Sequence, residues 1–129
     1  MPEADIPRLN RRMAEFIEWP VVEGDAFYDL GYPDRPCVVQ YSKTVLMLHR
    51  GTEWTPTEWS PATDETTAFE FVASAVEAAH RDISISTAHD CVYWCVVLDG
   101  TRQFRGVHTR LATALCLAVE QMMEASDDS

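Results

Sequence analysis

The chain has 129 residues, with 21 Asp or Glu against 10 Lys or Arg, which gives a formal net charge of −11. This acidity argues against direct binding to nucleic acid, because such binding depends mainly on Lys and Arg that neutralise phosphates. It favours partners that are themselves basic, or it simply keeps the protein soluble. Hydrophobic residues make up 47% and charged residues 24%, a composition typical of one globular domain and not of a disordered chain.

The cysteines and the N-terminal segment predict a cytoplasmic protein. Cys37, Cys91, Cys95 and Cys116 lie within apolar segments, which is typical of buried thiols and not of a disulfide framework. The N-terminal sequence MPEADIPRLNRR has no apolar signal core, and no apolar run approaches the ~18 residues of a membrane-spanning helix. We therefore expect a reduced, cytoplasmic protein that does not bind membranes.

The N-terminal half predicts one helix, a loop and a short hairpin. The helix is expected from Ile6-Pro7 to near Trp19, because Pro20 cannot continue it. Its buried stripe consists of Leu9, Met13, Phe16 and Ile17. A loop is expected over residues 21–36, a hairpin over residues 37–41 and 44–49, and an irregular aromatic segment over residues 51–63.

The clearest predicted element is a central helix that Thr63 or Asp64 can cap. Acidic residues crowd its first turn and Arg81 lies in its last turn, which matches the helix dipole at both ends. Its predicted buried stripe consists of Phe69, Val72, Ala73, Val76 and His80.

The remaining chain predicts three strands and a last helix. Residues 83–86 and 91–98 have strand patterns, and Asp99-Gly100 is a strong signal for a two-residue hairpin turn before a strand over residues 101–107. Thr109 can cap the last helix. The buried stripe of that helix is predicted to be Leu111, Leu115, Ala118, Val119 and Met122.

These elements predict an α+β fold: a three-stranded antiparallel meander covered by two amphipathic helices, with an N-terminal helix and an extra hairpin. Residues 1–129 are expected to form a single domain, with residues 1–7 and 124–129 frayed. The charge is polarised along the chain. Residues 83–119 hold two acids and three arginines, a balance of +1, whereas the first two helices, their loops and the tails hold the acid.

Three segments carry a resemblance to a known family. LNRRMAEFIEW at residues 9–19, WSPATDETTAFEFVASAV at residues 59–76 and HTRLATALCLAVEQMM at residues 108–123 resemble the phage ABA sandwich domain proteins. The similarity covers residues 9–123 and rests on helix caps and apolar positions. It implies an α/β/α arrangement and a phage or prophage gene expressed in a bacterial host. It implies no activity and no functional residues.

Metal and catalytic motifs find little support in the sequence. Cys91-x3-Cys95, near His80 and His89, suggests zinc, but two residues four apart on a strand lie roughly 13 Å apart, too far to share an ion. His89-Asp90 resembles the pair of metal phosphohydrolases, without the further ligands of such a site. A turn suits it better. GxSxG, P-loop and zinc-deaminase signatures are absent. We predict no catalytic residue, metal or cofactor.

One basic cluster and one acidic cluster are the candidate binding sites. Arg102, Arg105, His108 and Arg110 precede the last helix, whose N-terminus could hold a phosphate-bearing small molecule. A solvated hairpin face with balancing charge is the commoner arrangement. The candidate acidic interaction face is formed by Glu53, Glu58, Asp64, Glu65, Glu70 and Glu77.

The acidic face could imitate a phosphate backbone and occupy the basic groove of a nucleic-acid-binding protein, although acidic helices are more often simply solvated. Trp54 and Trp59 are candidate aromatic anchors for such an interface, and Trp59 also suits packing beside the central helix. The leading hypothesis is therefore a phage-encoded protein that inhibits a host factor, such as a defence nuclease or a CRISPR effector, by protein–protein contact. A binder of a phosphorylated small molecule is the alternative, and an enzyme ranks third. Self-association is left open.

Overall fold

A computed structural model describes residues 5–19, 21–23, 37–40, 46–49, 57–88 and 91–127. Within these ranges the chain forms three helices and seven strands. The helices are α1 (Ile6–Phe16), α2 and α3 (Leu111–Asp127). Helix α2 consists of consecutive α-helical, π-helical and α-helical segments, which are Glu65–Thr67, Ala68–Ala73 and Ser74–Ala78. The strands are β1 (Val21–Glu23), β2 (Cys37–Gln40), β3 (Leu46–His49), β4 (Thr57–Glu58), β5 (Asp82–Ala88), β6 (Val92–Asp99) and β7 (Arg102–His108).

The described strands form two sheets, which confirms the α+β class. The first has the order β1-β2-β3-β4, with β1 parallel to β2 and the other pairs antiparallel. Its β2–β3 pair is the hairpin that the sequence predicts. The second is the antiparallel meander β5-β6-β7. Strands β1 and β4 fall in segments predicted to be irregular, because strands this short leave almost no alternation to recognise.

The β6–β7 turn lies one residue further along than predicted. Asp99 pairs with Arg102, so the two turn residues are Gly100 and Thr101. Gly100 has φ +63°, and a glycine at the first position of a two-residue turn suits the twist of the flanking strands.

One continuous hydrophobic core joins the helices to both sheets. Helix α3 contacts α1, α2, β6 and β7, and α2 also contacts β5. Because α2 and α3 contact each other, both lie on the same side of the meander. The largest fully buried side chains include Trp59, Leu9, Met13 and Leu115.

Helices α1 and α2 are each followed, two positions after their last residue, by a residue with left-handed backbone. Glu18 has φ +62° and His80 has φ +61°. The N–H of Trp19 donates to the Ala14 carbonyl at 3.0 Å, and the N–H of Arg81 donates to the Val76 carbonyl at 3.2 Å. Both bonds are the 6→1 hydrogen bond of the Schellman motif, a helix C-cap in which glycine usually provides the left-handed residue. The predicted end near Trp19 is therefore three residues too late, and His80 is exposed instead of belonging to the buried stripe.

The terminal helices include residues that are expected from the sequence to fray. Asp5 caps α1 by accepting the N–H of Arg8 at 3.3 Å, and α1 begins at Ile6, as the helix pattern predicts, so Ile6 and Pro7 are helical. Helix α3 continues to Asp127. No helix in the described ranges has the length and apolar character needed to cross a bilayer.

Candidate interaction surface

Asp64 caps the N-terminus of helix α2. The Asp64 carboxylate accepts the backbone N–H of Thr66 at 3.1 Å and the hydroxyl of Thr67 at 2.9 Å. The first of these bonds satisfies a backbone N–H that the first turn of a helix leaves free. Asp64, one of the candidate acidic residues, thus has a structural role as the N-cap.

A π-helical turn changes which residues of α2 face the core. Ala68, Val72, Ala73 and Val76 are buried, whereas Phe69 is 37% exposed. The i→i+5 turn holds more residues than an α-turn, so the buried stripe begins at Ala68 and Phe69 points away from it. Placing Phe69 in the buried stripe is therefore wrong. The Ser74 hydroxyl donates to the Phe69 carbonyl at 3.2 Å and supports this wide turn.

The exposed side of α2 carries acids on both sides of Phe69. Glu65 lies one turn before it, Glu70 follows it, and Glu77 lies further along the same exposed side. We call Asp64, Glu65, Phe69, Glu70 and Glu77 the α2 surface. All five side chains are exposed, and all are placed by the same helix.

Not every predicted acidic or aromatic residue joins the α2 surface. Glu58 is exposed on β4, a different element. Glu53 and Trp54 lie outside the described residues. Trp59 is 2% exposed, so it belongs to the core and is not an exposed interface anchor.

Trp59 packs in an aromatic cluster next to α2. Its ring centroid lies 6.1 Å from that of Trp19 and 6.2 Å from that of Phe71, and the Trp19 and Phe71 centroids are 5.0 Å apart. The backbone N–H of Trp59 donates to the Leu46 carbonyl at 2.9 Å, and this bond connects the segment to β3. This cluster fixes the chain immediately before α2.

Buried polar side chains hold the same segment by hydrogen bonds. The Asn10 side chain accepts the N–H of Ala62 at 2.9 Å and donates to the Ser60 hydroxyl at 3.0 Å. The Thr113 hydroxyl donates to the Ala62 carbonyl at 2.6 Å. Asn10 and Thr113 are almost fully buried. Helices α1 and α3 thereby position the start of α2, a role that the sequence patterns do not reveal.

The basic residues before α3 do not converge on one point. Arg102 lies over the Phe104 ring, 5.1 Å from its centroid, and Arg105 lies over the Trp94 ring at 4.8 Å. Phe104 and Gly106 are buried towards α3, and residues alternate along a strand. Arg102 and Arg105 therefore lie on opposite faces of the meander.

His108 is engaged by the backbone at the start of α3. Its Nδ1 accepts the N–H of Arg110 at 3.0 Å. Capping of α3 thus involves His108, whereas the sequence points to Thr109. This contact occupies one of the free N–H groups that an anion would need, and it requires Nδ1 to be without a proton.

Cys95 and Cys116 are buried free cysteines. Among the described residues, no group of three or more His, Cys, Asp or Glu could hold a metal ion. Burial raises the pKa of Cys95 to about 11, and burial, followed by the nearby Cys95 and Glu120, raises that of Cys116 further. Both thiols are therefore poor nucleophiles at neutral pH.

An open depression of 360 Å³ on α1 is lined by Asp5, Pro7, Arg8, Arg11, Arg12 and Glu15. Its arginines are partly engaged: Arg8 pairs with Glu120 of α3 at 3.1 Å and Arg12 with Glu15 at 2.9 Å. Among the described residues, the depression is lined by α1 and its N-cap alone, with no opposing wall. The α2 surface, with its exposed aromatic residue, is the stronger candidate.

Comparison with protein-family models finds no match, and neither curated proteins nor solved structures show a significant similarity. The resemblance to the phage ABA sandwich domain proteins stays a prediction.

Proposed function

We propose that the protein is a non-enzymatic binding protein that uses the α2 surface to engage a basic partner protein. The observation that carries the proposal is the exposed position of Phe69 among the acids of α2. Aromatic side chains are enriched among the residues that dominate binding energy. Acids around such a residue select a positively charged partner and speed its approach.

The basic partner is proposed to be a nucleic-acid-binding protein of a bacterial host. Such proteins neutralise phosphates with Lys and Arg, so an acidic helix that enters the same groove would exclude nucleic acid. The resemblance to phage proteins supports a phage product that acts in the host cytoplasm. A defence nuclease or a CRISPR effector, whose channel is positively charged, is the proposed target class.

The test begins with capture of host proteins on the immobilised chain and identification by mass spectrometry. The affinity of the purified partner is then measured by calorimetry for the native protein, for Phe69→Ala, and for the double variant Glu65→Lys/Glu77→Lys. We expect each change to weaken binding by about tenfold or more, which corresponds to ~1.4 kcal/mol. Nucleic acid should compete with the native protein for the partner.

The matched control is Glu18→Lys/Glu124→Lys, which makes the same change in net charge at two exposed acids outside the α2 surface. It should retain nearly all of the affinity. Equal losses in the control and the α2 variants would mean that overall charge, and not this surface, drives binding. Unchanged affinity in every α2 variant would refute the proposal.

The alternative from sequence, a binder of a phosphorylated small molecule, has weaker support. Arg102 and Arg105 stack on aromatic rings on opposite sides of the meander, and His108 accepts a backbone N–H. A nucleotide at 100-fold excess over its Kd would stabilise the protein by ~2.7 kcal/mol. Thermal denaturation with a panel of nucleotides therefore distinguishes this alternative from the proposal.

A further inference from the structure

Strand β5 has a free edge. It pairs with β6 on one side, and no strand pairs with its other side in the part of the chain that the structure describes. Ser84, Ile85, Ser86 and Thr87 are all exposed, with Ile85 exposed by 42%. A strand of seven residues in this position offers unpaired backbone N–H and C=O groups to another strand.

Within the part of the chain that the structure describes, the opposite edge of the meander is protected, whereas no strand pairs with the outer edge of β5. Strand β7 carries the exposed Arg102 and Arg105, and the N–H of Arg105 donates to the Gln121 side chain of α3 at 3.2 Å. Charged side chains and covering elements of this kind keep edges from pairing. The β5 sequence DISISTA has no Lys, Arg or Pro, and its register with β6 is continuous from Asp82 to Ala88, without a bulge.

The β5 sequence complements itself when it runs antiparallel to a second copy. With a twofold axis at Ile85, perpendicular to the sheet, Ser84 lies opposite Ser86 of the second copy and Ile83 lies opposite Thr87. Asp82 lies opposite position 88, so no two acids face each other. Opposite residues then share a face of the sheet, as antiparallel pairing requires.

The β5 strand brings one charged residue to this contact. Asp82 lies opposite position 88 of the second copy, and residues 83–88 carry no charge. The contact therefore pairs uncharged side chains along most of its length.

We propose that β5 pairs antiparallel with β5 of a second copy, with Ile85 at the twofold axis, so that two meanders join into one six-stranded sheet. This inference is independent of the proposed function. Ile85 lies opposite the buried Cys95 in the β5–β6 register and therefore on the helix side of the sheet, where it meets Ile85 of the second copy.

The experiment measures molecular mass by light scattering after gel filtration. The native protein should have twice the chain mass of 14.6 kDa. Ile85→Lys places two positive charges at the axis and should give the single-chain mass, and Ile85→Glu should do the same. An equimolar mixture of the two variants should recover the doubled mass, because opposite charges then meet at the axis. Thr101→Lys, at the exposed β6–β7 turn, is the matched control and should retain it.

A single-chain mass for the native protein, or a doubled mass for Ile85→Lys, would overturn the proposal. Failure of the mixture to recover the doubled mass would remove Ile85 from the axis and overturn the stated register. Hydrogen exchange of the native protein provides a second measurement that needs no variant. Amides along both edges of β5 should be protected in the dimer, whereas rapid exchange at every second amide would contradict the pairing.

Discussion

Gly106 of β7 lies so close to Ala118 of α3 that a Cβ atom on the glycine would stand 2.6 Å from the Ala118 nitrogen. The same atom would overlap the Ala114 carbonyl. We expect Gly106→Ala to push α3 away from the meander and to lower the free energy of unfolding by about 1–3 kcal/mol or more, as overpacking does. Urea denaturation measures this loss.

The comparison variant for this contact is Gly100→Ala. A Cβ atom at Gly100 would meet nothing within 4 Å, but the backbone there has φ +63°. Gly100→Ala should therefore lower the free energy of unfolding only through backbone conformation, by about 1–2 kcal/mol. The contacts of α3 stay intact. If Gly106→Ala were no more costly than Gly100→Ala, the close approach of β7 to α3 would not be the reason for the glycine.

His80→Gly is expected to stabilise the protein. His80 is exposed and has φ +61° at the end of α2. The left-handed conformation costs an L-residue about 1–2 kcal/mol, which exceeds the ~0.5–1 kcal/mol of extra unfolded-chain entropy that glycine brings. Thermal denaturation should show a net gain of about 0.5–1 kcal/mol. Ala79→Gly, one residue earlier at φ −87°, should instead destabilise the protein.

These helix ends show where reasoning from the sequence reaches its limit. The meander could be predicted because Asp99-Gly100 precedes a strand, and β6 is rich in strand-forming residues. The ends of α1 and α2 could not, because Glu18 and His80 occupy positions where the usual signal is glycine. The parallel pairing of β1 with β2 joins residues separated by more than a dozen positions, and no local pattern records such a contact.

Asn10→Ala should lower the free energy of unfolding by more than the size of the removed side chain suggests. The change leaves the buried N–H of Ala62 without the acceptor that Asn10 provides at 2.9 Å. A buried donor that loses its partner costs about 1–3 kcal/mol. Thr113→Val removes the bond to the Ala62 carbonyl. Because both act on the same short segment, the double variant should lose less stability than the sum of the two, as a double-mutant cycle in urea would show.

The free energy of unfolding should decrease between pH 9 and about pH 11. The pKa of Cys95 is raised from 9.0 to about 11 because the thiol is buried, so between these values the unfolded chain releases a proton that the folded chain keeps. Stability is fully present below pH 9 and decreases as the pH rises towards 11, with a slope of at most about 1.4 kcal/mol per pH unit for this group.

The variant that isolates this effect is Cys95→Ala. Its free energy of unfolding, measured between pH 8 and pH 11, should decline less steeply than that of the native protein. The decline that remains should come from Cys116. Val97→Ala removes another buried side chain of β6 but no titrating group. It should lower stability at every pH and keep the native slope. Equal slopes for Cys95→Ala and the native protein would contradict the role of burial.

The α2 surface was only half predictable. Its acids could be read from the sequence because charged residues seldom enter a core unpaired. Phe69 could not, because a period of 3.6 places it with Val72 and Val76 on one face. The residue that replaces it in the buried stripe, Ala68, is small enough to be missed by any pattern of large apolar residues.

Substitution to alanine at Phe69 and Val72 distinguishes the two registers of α2. In a regular α-helix both residues would be buried, and Phe69→Ala would cost about 3–5 kcal/mol. With the π-helical turn, Phe69 is 37% exposed and Val72 is fully buried. We therefore expect Val72→Ala to be the more destabilising change in urea denaturation, although valine is the smaller side chain. A larger loss for Phe69→Ala would place this ring in the core and remove the aromatic centre of the α2 surface.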